Sequence, residues 1–329
     1  MTHSHRHTAV VALGGNALAP AGEASTVYDQ FRHTRESLAP IVELALAGWS
    51  VCVVHGNGPQ VGEELVRNEL AREEANPLPL GVLVAATAGW IGYMVQQSLD
   101  NALARAAAAA SGAGDRAERR GVATVITQVQ VDPTDSALRN PTKFIGRALT
   151  DDRARELETE GHVVRRDGHG NLRRVVGSPT PQAICELDAI KTLVEAGMLV
   201  VACGGGGAPV YRHPTLGWEG IDAVVDKDLA AAVLARDLEA ALLLILTDVD
   251  AVYADWGTAQ QRPLRQLTIA DAERMDAEKA FGEGSMAPKI RAAVVFVRRT
   301  GGRAIITSLA RGQAAVRGEA GTTITAENA

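Results

Sequence analysis

Lysine is scarce in this chain: Lys143, Lys191, Lys227, Lys279 and Lys289 are the only five, against 28 arginines. Cysteine is scarcer still. Cys52, Cys185 and Cys203 are odd in number and embedded in apolar runs, which argues against a disulfide framework and for buried free thiols in a reducing cytosol. Cys203 has no histidine nearby in sequence, so a nucleophilic role for it is not favoured. No apolar stretch approaches the ~18 residues of a membrane span. A net charge of −6 with both signs interspersed leaves no basic stripe for nucleic acid. The Walker pattern is missing, since no glycine loop is followed by lysine and a hydroxyl. Gly56-Asn57-Gly58 opens like a dinucleotide fingerprint, but its next glycine is Gly62, one place too late. Asp255-Trp256-Gly257 imitates the DFG triplet of protein kinases without the companion loop. Residues 1–7 lack the apolar core of a signal peptide and read as a frayed tail, with His3, His5 and His7 at most a weak metal binder.

What is present is a recurring turn. Ala9-Val10-Val11-Ala12-Leu13 breaks into Gly14-Gly15-Asn16, and Val51-Cys52-Val53-Val54 breaks into His55-Gly56-Asn57-Gly58, each leading into a helical pattern. A third apolar run ends at Cys203 and opens into Gly204-Gly205-Gly206-Gly207. A strand, a glycine turn and a helix aim bare backbone N–H groups and a helix N-terminus at an anion. Three such turns point to a phosphate-handling site. Three of the lysines reinforce this, lying in Asn140-Pro141-Thr142-Lys143, Asp226-Lys227-Asp228 and Gly284-Ser285-Met286-Ala287-Pro288-Lys289. A compact, mobile ammonium suits a transferring phosphoryl group better than a planar guanidinium. Asp228 either holds such cations in place or stabilises a helix first turn. Lys191 and Lys279 sit in ordinary helical patterns and read as surface residues.

Strand and helix patterns alternate along the chain, which predicts a mainly parallel sheet covered on both faces. Helices are expected over 31–48, 60–75, 81–110, 181–196, 226–236 and 288–299, with residues 111–114 ending the third. Strands are expected over 122–131, 198–203, 241–247, 304–307 and 322–325. Between about 132 and 181 the character changes to prolines, a charged helix near 151–160 and two short strands joined through Asp167-Gly168-His169-Gly170-Asn171 as a hairpin turn. This reads as a small inserted α+β lobe, and Lys143 on it makes it a candidate lid. At 329 residues and 46% hydrophobic, the chain can bury one large core or two joined ones. Glycine turns on separate strands then suit a trough along the carboxyl ends of the sheet.

Together these motifs resemble carbamate kinase, in that family's order from end to end. They are Val11 to Leu18, His55 to Gly62, Gly204 to Gly207, Ala223 to Ala231, Ile245 to Val249 and Gly284 to Lys289, with Asp132-Pro133-Thr134-Asp135 and Asn140 to Gly146 matching its protruding subdomain. The resemblance implies an α/β protein of the amino-acid-kinase fold, a three-layer α/β/α sandwich, and a homodimer. It implies an acceptor half over 1–215, containing the lid, and a nucleotide half over 216–329. It also implies Mg2+-dependent transfer between ATP and carbamate, or from carbamoyl phosphate to ADP in cytoplasmic arginine catabolism. By motif, Gly14, Gly15 and Asn16 would hold the transferring phosphoryl group, Gly56, Asn57 and Gly58 the carbamate end, and Gly205 and Gly206 would join the substrate-binding turns. Lys227 and Lys289 would stabilise the transition state, Asp228 would organise them, and Lys143 would reach in from the lobe. Thr247, Asp248, Tyr253 and Met286 would lie at the nucleotide, and no residue is expected to ligate a metal directly.

Three departures from the family pattern all fall on the acceptor half or lid. Arg147-Ala148-Leu149 stands where the family usually continues Pro-Phe-Tyr, Ala88 where it often has glutamine, and Gly177 where it usually has proline. A relative acting on another small acid, or a binder of nucleotide or carbamoyl phosphate with little turnover, is the alternative reading.

Overall fold

The computed structural model describes residues 7–19, 26–110, 120–281 and 286–327. His3 and His5, the helix terminator at 111–114, Gly284 and Ser285, and the side chain of Asn16 lie outside the described residues.

Eight strands form the central sheet: β1 (Thr8–Leu13), β2 (Ser50–His55), β3 (Val122–Thr124), β4 (Leu199–Val201), β5 (Leu242–Thr247), β6 (Gln266–Thr268), β7 (Arg303–Ser308) and β8 (Thr322–Thr325). They lie in the order β6-β8-β7-β5-β1-β2-β4-β3 and pair in parallel, except that β7 and β8 are antiparallel. Alternate side chains of β1 enter different cores. Ala9, Val11 and Leu13 pack with Ile41, Leu44, Ile91 and Leu99, while Val10 and Ala12 pack with Ala230, Leu234, Ile290 and Phe296. A sheet buried on both faces needs strands that are apolar throughout, which is why β1, β2 and β5 read as unbroken hydrophobic runs.

Four helices matter for the site: α1 (Gly58–Leu70), α2 (Leu80–Ala110), α3 (Lys227–Asp237) and α4 (Met286–Thr300). Residues of α2 fill one core, and residues of α3 and α4 fill the other, giving the three-layer α/β/α sandwich. Seven of the eleven residues of α3 are buried, alanines among them, so the helix packs close to the sheet.

Three expected elements divide. The helix anticipated over 31–48 is two, Val27–Ser37 and Ala39–Leu46, because Pro40 has no N–H to continue a helix and fits only at the start of one. The strand over 122–131 splits at 125–127 into β3 and Gln128–Val131, which joins a separate four-stranded sheet with Pro181–Ile184, Ala208–His213 and Gly217–Gly220. The helix over 181–196 begins only at Leu187, because Pro181–Ile184 pairs antiparallel with Gln128–Val131 and Glu186 accepts a 2.7 Å hydrogen bond from the Gln128 N–H.

The inserted segment carries its own antiparallel sheet, ordered Lys143–Ile145, Leu172–Val176, Val163–Arg166, with the helix Asp151–Thr159. The hairpin turn forms where expected: Asp167 Oδ1 accepts from the His169 and Asn171 N–H groups, and Gly170 has φ +82°. This lobe rests on α1. The Gly146 N–H donates to the Gly58 carbonyl at 3.1 Å, and Ile145 is buried with Val61, Leu65 and Val224. Arg147 pairs with Glu63, and Arg153 and Arg174 both pair with Glu69.

Candidate active site

β5, β1, β2 and β4 are neighbours; Leu13 is opposite both Leu246 and His55, while β4 ends at Val201, opposite Val53. Their turns therefore meet. A Cβ built on Gly56 would lie 3.0 Å from the Gly15 nitrogen and 3.1 Å from Lys227 Cδ, and one on Gly15 would lie 3.2 Å from Pro59. Glycine at both places lets two backbones and a lysine stem share this space. The donors are more selective than the turn pattern suggests. The Gly14 N–H donates to the Leu246 carbonyl and the Gly56 N–H to that of Leu13, so both are spent inside the sheet. The first-turn N–H groups of the helices opening at Gly15 and Gly58 are the ones available to an anion.

The third turn differs from the expected one. Gly204–Gly206 forms a 3-10 turn that runs on to the strand Ala208–His213, and the Gly206 and Gly207 N–H groups are bonded back to Cys203 and Gly204. Its glycines serve close packing. Gly205, at φ +68°, would press a Cβ to 2.3 Å from Asn57 Nδ2, and Gly206, at φ +94°, would meet the Val225 carbonyl at 2.2 Å. Asn57 is buried and its amide donates to Thr87 Oγ1 at 2.9 Å. His55 is buried beside it. Burial lowers its pKa to about 4, leaving a neutral ring whose Nδ1–H donates to the Gly56 carbonyl.

The lysines gather around two carboxylates. Asp228 Oδ1 lies 2.5 Å from Lys227 Nζ, and its Oδ2 lies 3.3 Å from Lys289 Nζ, so a single buried acid holds one ammonium from α3 and one from α4. Lys143 Nζ, on the lobe, lies 2.5 Å from Asp226 Oδ2. Among the described residues, three lysine ammoniums meet two carboxylates here. Burial lowers the Lys227 pKa, with Asp228 opposing and the Lys289 ammonium adding to the shift. Burial also works against charge on Lys143, but the Asp226 carboxylate outweighs it and raises that pKa. Burial would raise the Asp226 carboxyl, yet Lys143 foremost, then Lys227 and Lys289, hold it well below the usual range.

Thr247 ends β5 partly exposed and Asp248 follows it into solvent, while Met286 opens α4 against the core. Tyr253 stacks edge-on against Trp256 with ring centroids 5.2 Å apart. Asp226 was not among the expected site residues. Its position just before a helix marks a cap, but its partner Lys143 is 83 residues away and invisible to local patterns. Among the described residues, no group of three or more His, Cys, Asp or Glu could hold a metal ion.

The cysteines are partly corrected. Cys52 and Cys203 are fully buried, burial pushing the Cys52 thiol up to about 12 and raising that of Cys203 as well, whereas Cys185 is only half-buried. Reactivity follows thiolate and access. Alkylation of the native protein at pH 8 is therefore expected to mark Cys185 alone, with all three marked after unfolding. Mass spectrometry checks this, and native labelling of Cys203 would contradict it.

A mainly parallel sheet with glycine turns and a lysine cluster at its strand ends defines an α/β enzyme of the phosphotransferase class. The amino acid kinase family profile matches residues 7–308. The carbamate kinase of Halobacterium salinarum is 46% identical over 321 residues, covering 96% of this chain and 97% of that protein. That of Escherichia coli K12 is 43% identical over 318 residues, covering 96% and 99%. A solved structure of carbamate kinase from Giardia lamblia bound to AMP-PNP superposes with a TM-score of 0.86 at 36% identity, covering 98% of this chain and 99% of that one. The chain belongs to the amino acid kinase family, among its carbamate kinases. No helix among the described residues is long and apolar enough to cross a membrane.

Proposed function

We propose that the protein catalyses reversible transfer of a phosphoryl group between ATP and carbamate, with carbamoyl phosphate and ADP as the other pair. The observation that carries the reading is the single carboxylate of Asp228 holding Lys227 and Lys289 beside the Gly15 and Gly56 turns. Phosphoryl transfer asks for alignment of donor and acceptor and for neutralisation of charge on the moving group. Lys227 and Lys289 supply the neutralising charge, and Asp228 fixes their separation. Gly14, Gly15 and Asn16 form the turn for the moving phosphoryl group. Gly56, Asn57 and Gly58 receive the carbamate end, with Gly205 packed against Asn57 and Gly206 against the Val225 carbonyl. Lys143 meets the acid substrate from the lobe over 132–181.

The nucleotide reaches the cluster from the half over 216–329, past Thr247, Asp248, Tyr253 and Met286, and the acceptor from the half over 1–215. Asp226 and Asp228 are already engaged by lysines, which suits a Mg2+ held through nucleotide phosphates and water. Such an ion screens phosphate charge when bound. A homodimer acting in arginine catabolism in the cytoplasm goes with this reading. The test is ATP formation from carbamoyl phosphate and ADP with Mg2+, beside acetyl phosphate as a control donor. Turnover selective for carbamoyl phosphate is expected. Failure with intact ADP binding would direct attention to other acids, beginning with the altered Arg147-Ala148-Leu149 segment.

A further inference from the structure

We propose that Asp226 is a positioning residue that anchors the lid lysine, Lys143, to the first turn of α3; this rests on the function proposed above. The two oxygens of its carboxylate have separate duties. Oδ1 caps the helix, accepting from the Asp228 N–H at 2.9 Å and the Leu229 N–H at 3.3 Å. An asparagine or serine would cap as well, so capping alone does not call for a charge at a residue only 8% exposed. A carboxylate buried to this degree is costly unless a cation meets it. Oδ2 meets that cation, and it comes from the lobe: Lys143 Nζ lies 2.5 Å away.

The consequence is one of registration. The residues bonded to the capping oxygen begin the helix that carries Lys227 and Asp228, and the other oxygen holds the ammonium that meets the acid substrate. One side chain therefore sets the lid lysine relative to the transfer lysines. The neighbouring backbone strengthens the junction. The Val224 N–H donates to the Gly177 carbonyl at 3.0 Å, and Val224 is buried with Ile145, two residues beyond Lys143. Lobe and helix thus meet at a packed seam, with the Lys143/Asp226 pair at its polar end.

Asp226→Asn keeps a capping oxygen and removes the charge, and Asp226→Ser does the same with a smaller side chain. Each, like Lys143→Ala, is expected to lower kcat/KM for carbamoyl phosphate about 10- to 100-fold, the scale of a charge-assisted hydrogen bond, with ADP affinity unchanged. Asp226→Asn combined with Lys143→Ala is expected to be no worse than Lys143→Ala alone, because the two act as one unit. Wild-type kinetics in both cap-preserving variants would reduce Asp226 to a helix cap and overturn the proposal. So would losses that multiply in the double variant. A second readout needs no substrate: amide hydrogen exchange over residues 143–145 of the ligand-free protein should quicken in Asp226→Asn as in Lys143→Ala. Unchanged exchange would overturn the anchoring. Failure of the parent protein to use carbamoyl phosphate would count against the proposed reaction and leave this exchange result standing.

Discussion

Alanine in place of Lys227 or Lys289 is expected to lower phosphoryl-transfer turnover about 10²–10³-fold, the usual scale for deleting one donor that meets charge developing in the transition state. The ammonium groups are held by the two oxygens of one carboxylate, and their side chains are only 12% and 10% exposed. Each therefore faces an environment with little water to screen it, where a fixed charge counts for more than at the surface. Removing either also leaves Asp228 with one partner fewer, so its carboxylate is drawn toward the survivor. Because the lysines share that acid, the double alanine variant should lose less than the product of the single losses. Arginine is not expected to rescue either position, since a planar fork cannot take the place of a compact ammonium on one oxygen of Asp228. Initial rates of ATP formation, with folding followed by circular dichroism, test this. Near-normal turnover in well-folded variants would remove the assigned role.

The parts of this site legible in the sequence are those written locally. A fully buried parallel strand must be apolar along its length, so β1, β2 and β5 announce themselves, and a glycine turn at each strand end marks where the backbone is bare. The lysines stood out because the chain uses arginine almost everywhere else. Three things were hidden. Whether a turn's N–H groups are free depends on the neighbouring strand, so Gly14 and Gly56 looked like anion donors although each bonds to an adjacent strand end. Whether Pro181–Ile184 forms helix or strand is decided by its pairing with Gln128–Val131, fifty or more residues earlier. The lid contact of Asp226 joins segments that no periodicity connects. The altered Arg147, which local reading could only mark as unusual, has a physical place: it pairs with Glu63 on α1 and helps seat the lobe.

That seat rests on one glycine, and replacing it carries the other large expected effect. A Cβ at Gly62 would fall 2.0 Å from the Gly146 Cα and 2.4 Å from its nitrogen. Both are backbone atoms, so no side-chain rotation relieves the contact, and Gly146 is tied in place by its N–H bond to the Gly58 carbonyl and by Arg173 donating to its own carbonyl. A displacement of about 1 Å costs roughly 10²-fold when it misplaces a group at the reacting centre, and restoring ordinary contact here moves the lobe strand outward by at least that. Lys143 lies three residues from Gly146 on that strand, so Gly62→Ala should lower kcat/KM for carbamoyl phosphate by about that factor. ADP affinity should be unchanged. Alanine's helix-propensity gain of about 1 kcal/mol offsets only part of the cost of such a clash, so the kinetics are read on variant protein shown by circular dichroism to be folded. Gly89→Ala on α2 is the control: its Cβ would meet only Ile126 Cδ1 at 3.4 Å, and near-normal kinetics are expected. If Gly62→Ala also keeps full kcat/KM, lobe seating on α1 does not govern use of the acid substrate. If it loses ADP affinity in parallel, the lobe acts on the nucleotide and Lys143 has been given to the wrong partner.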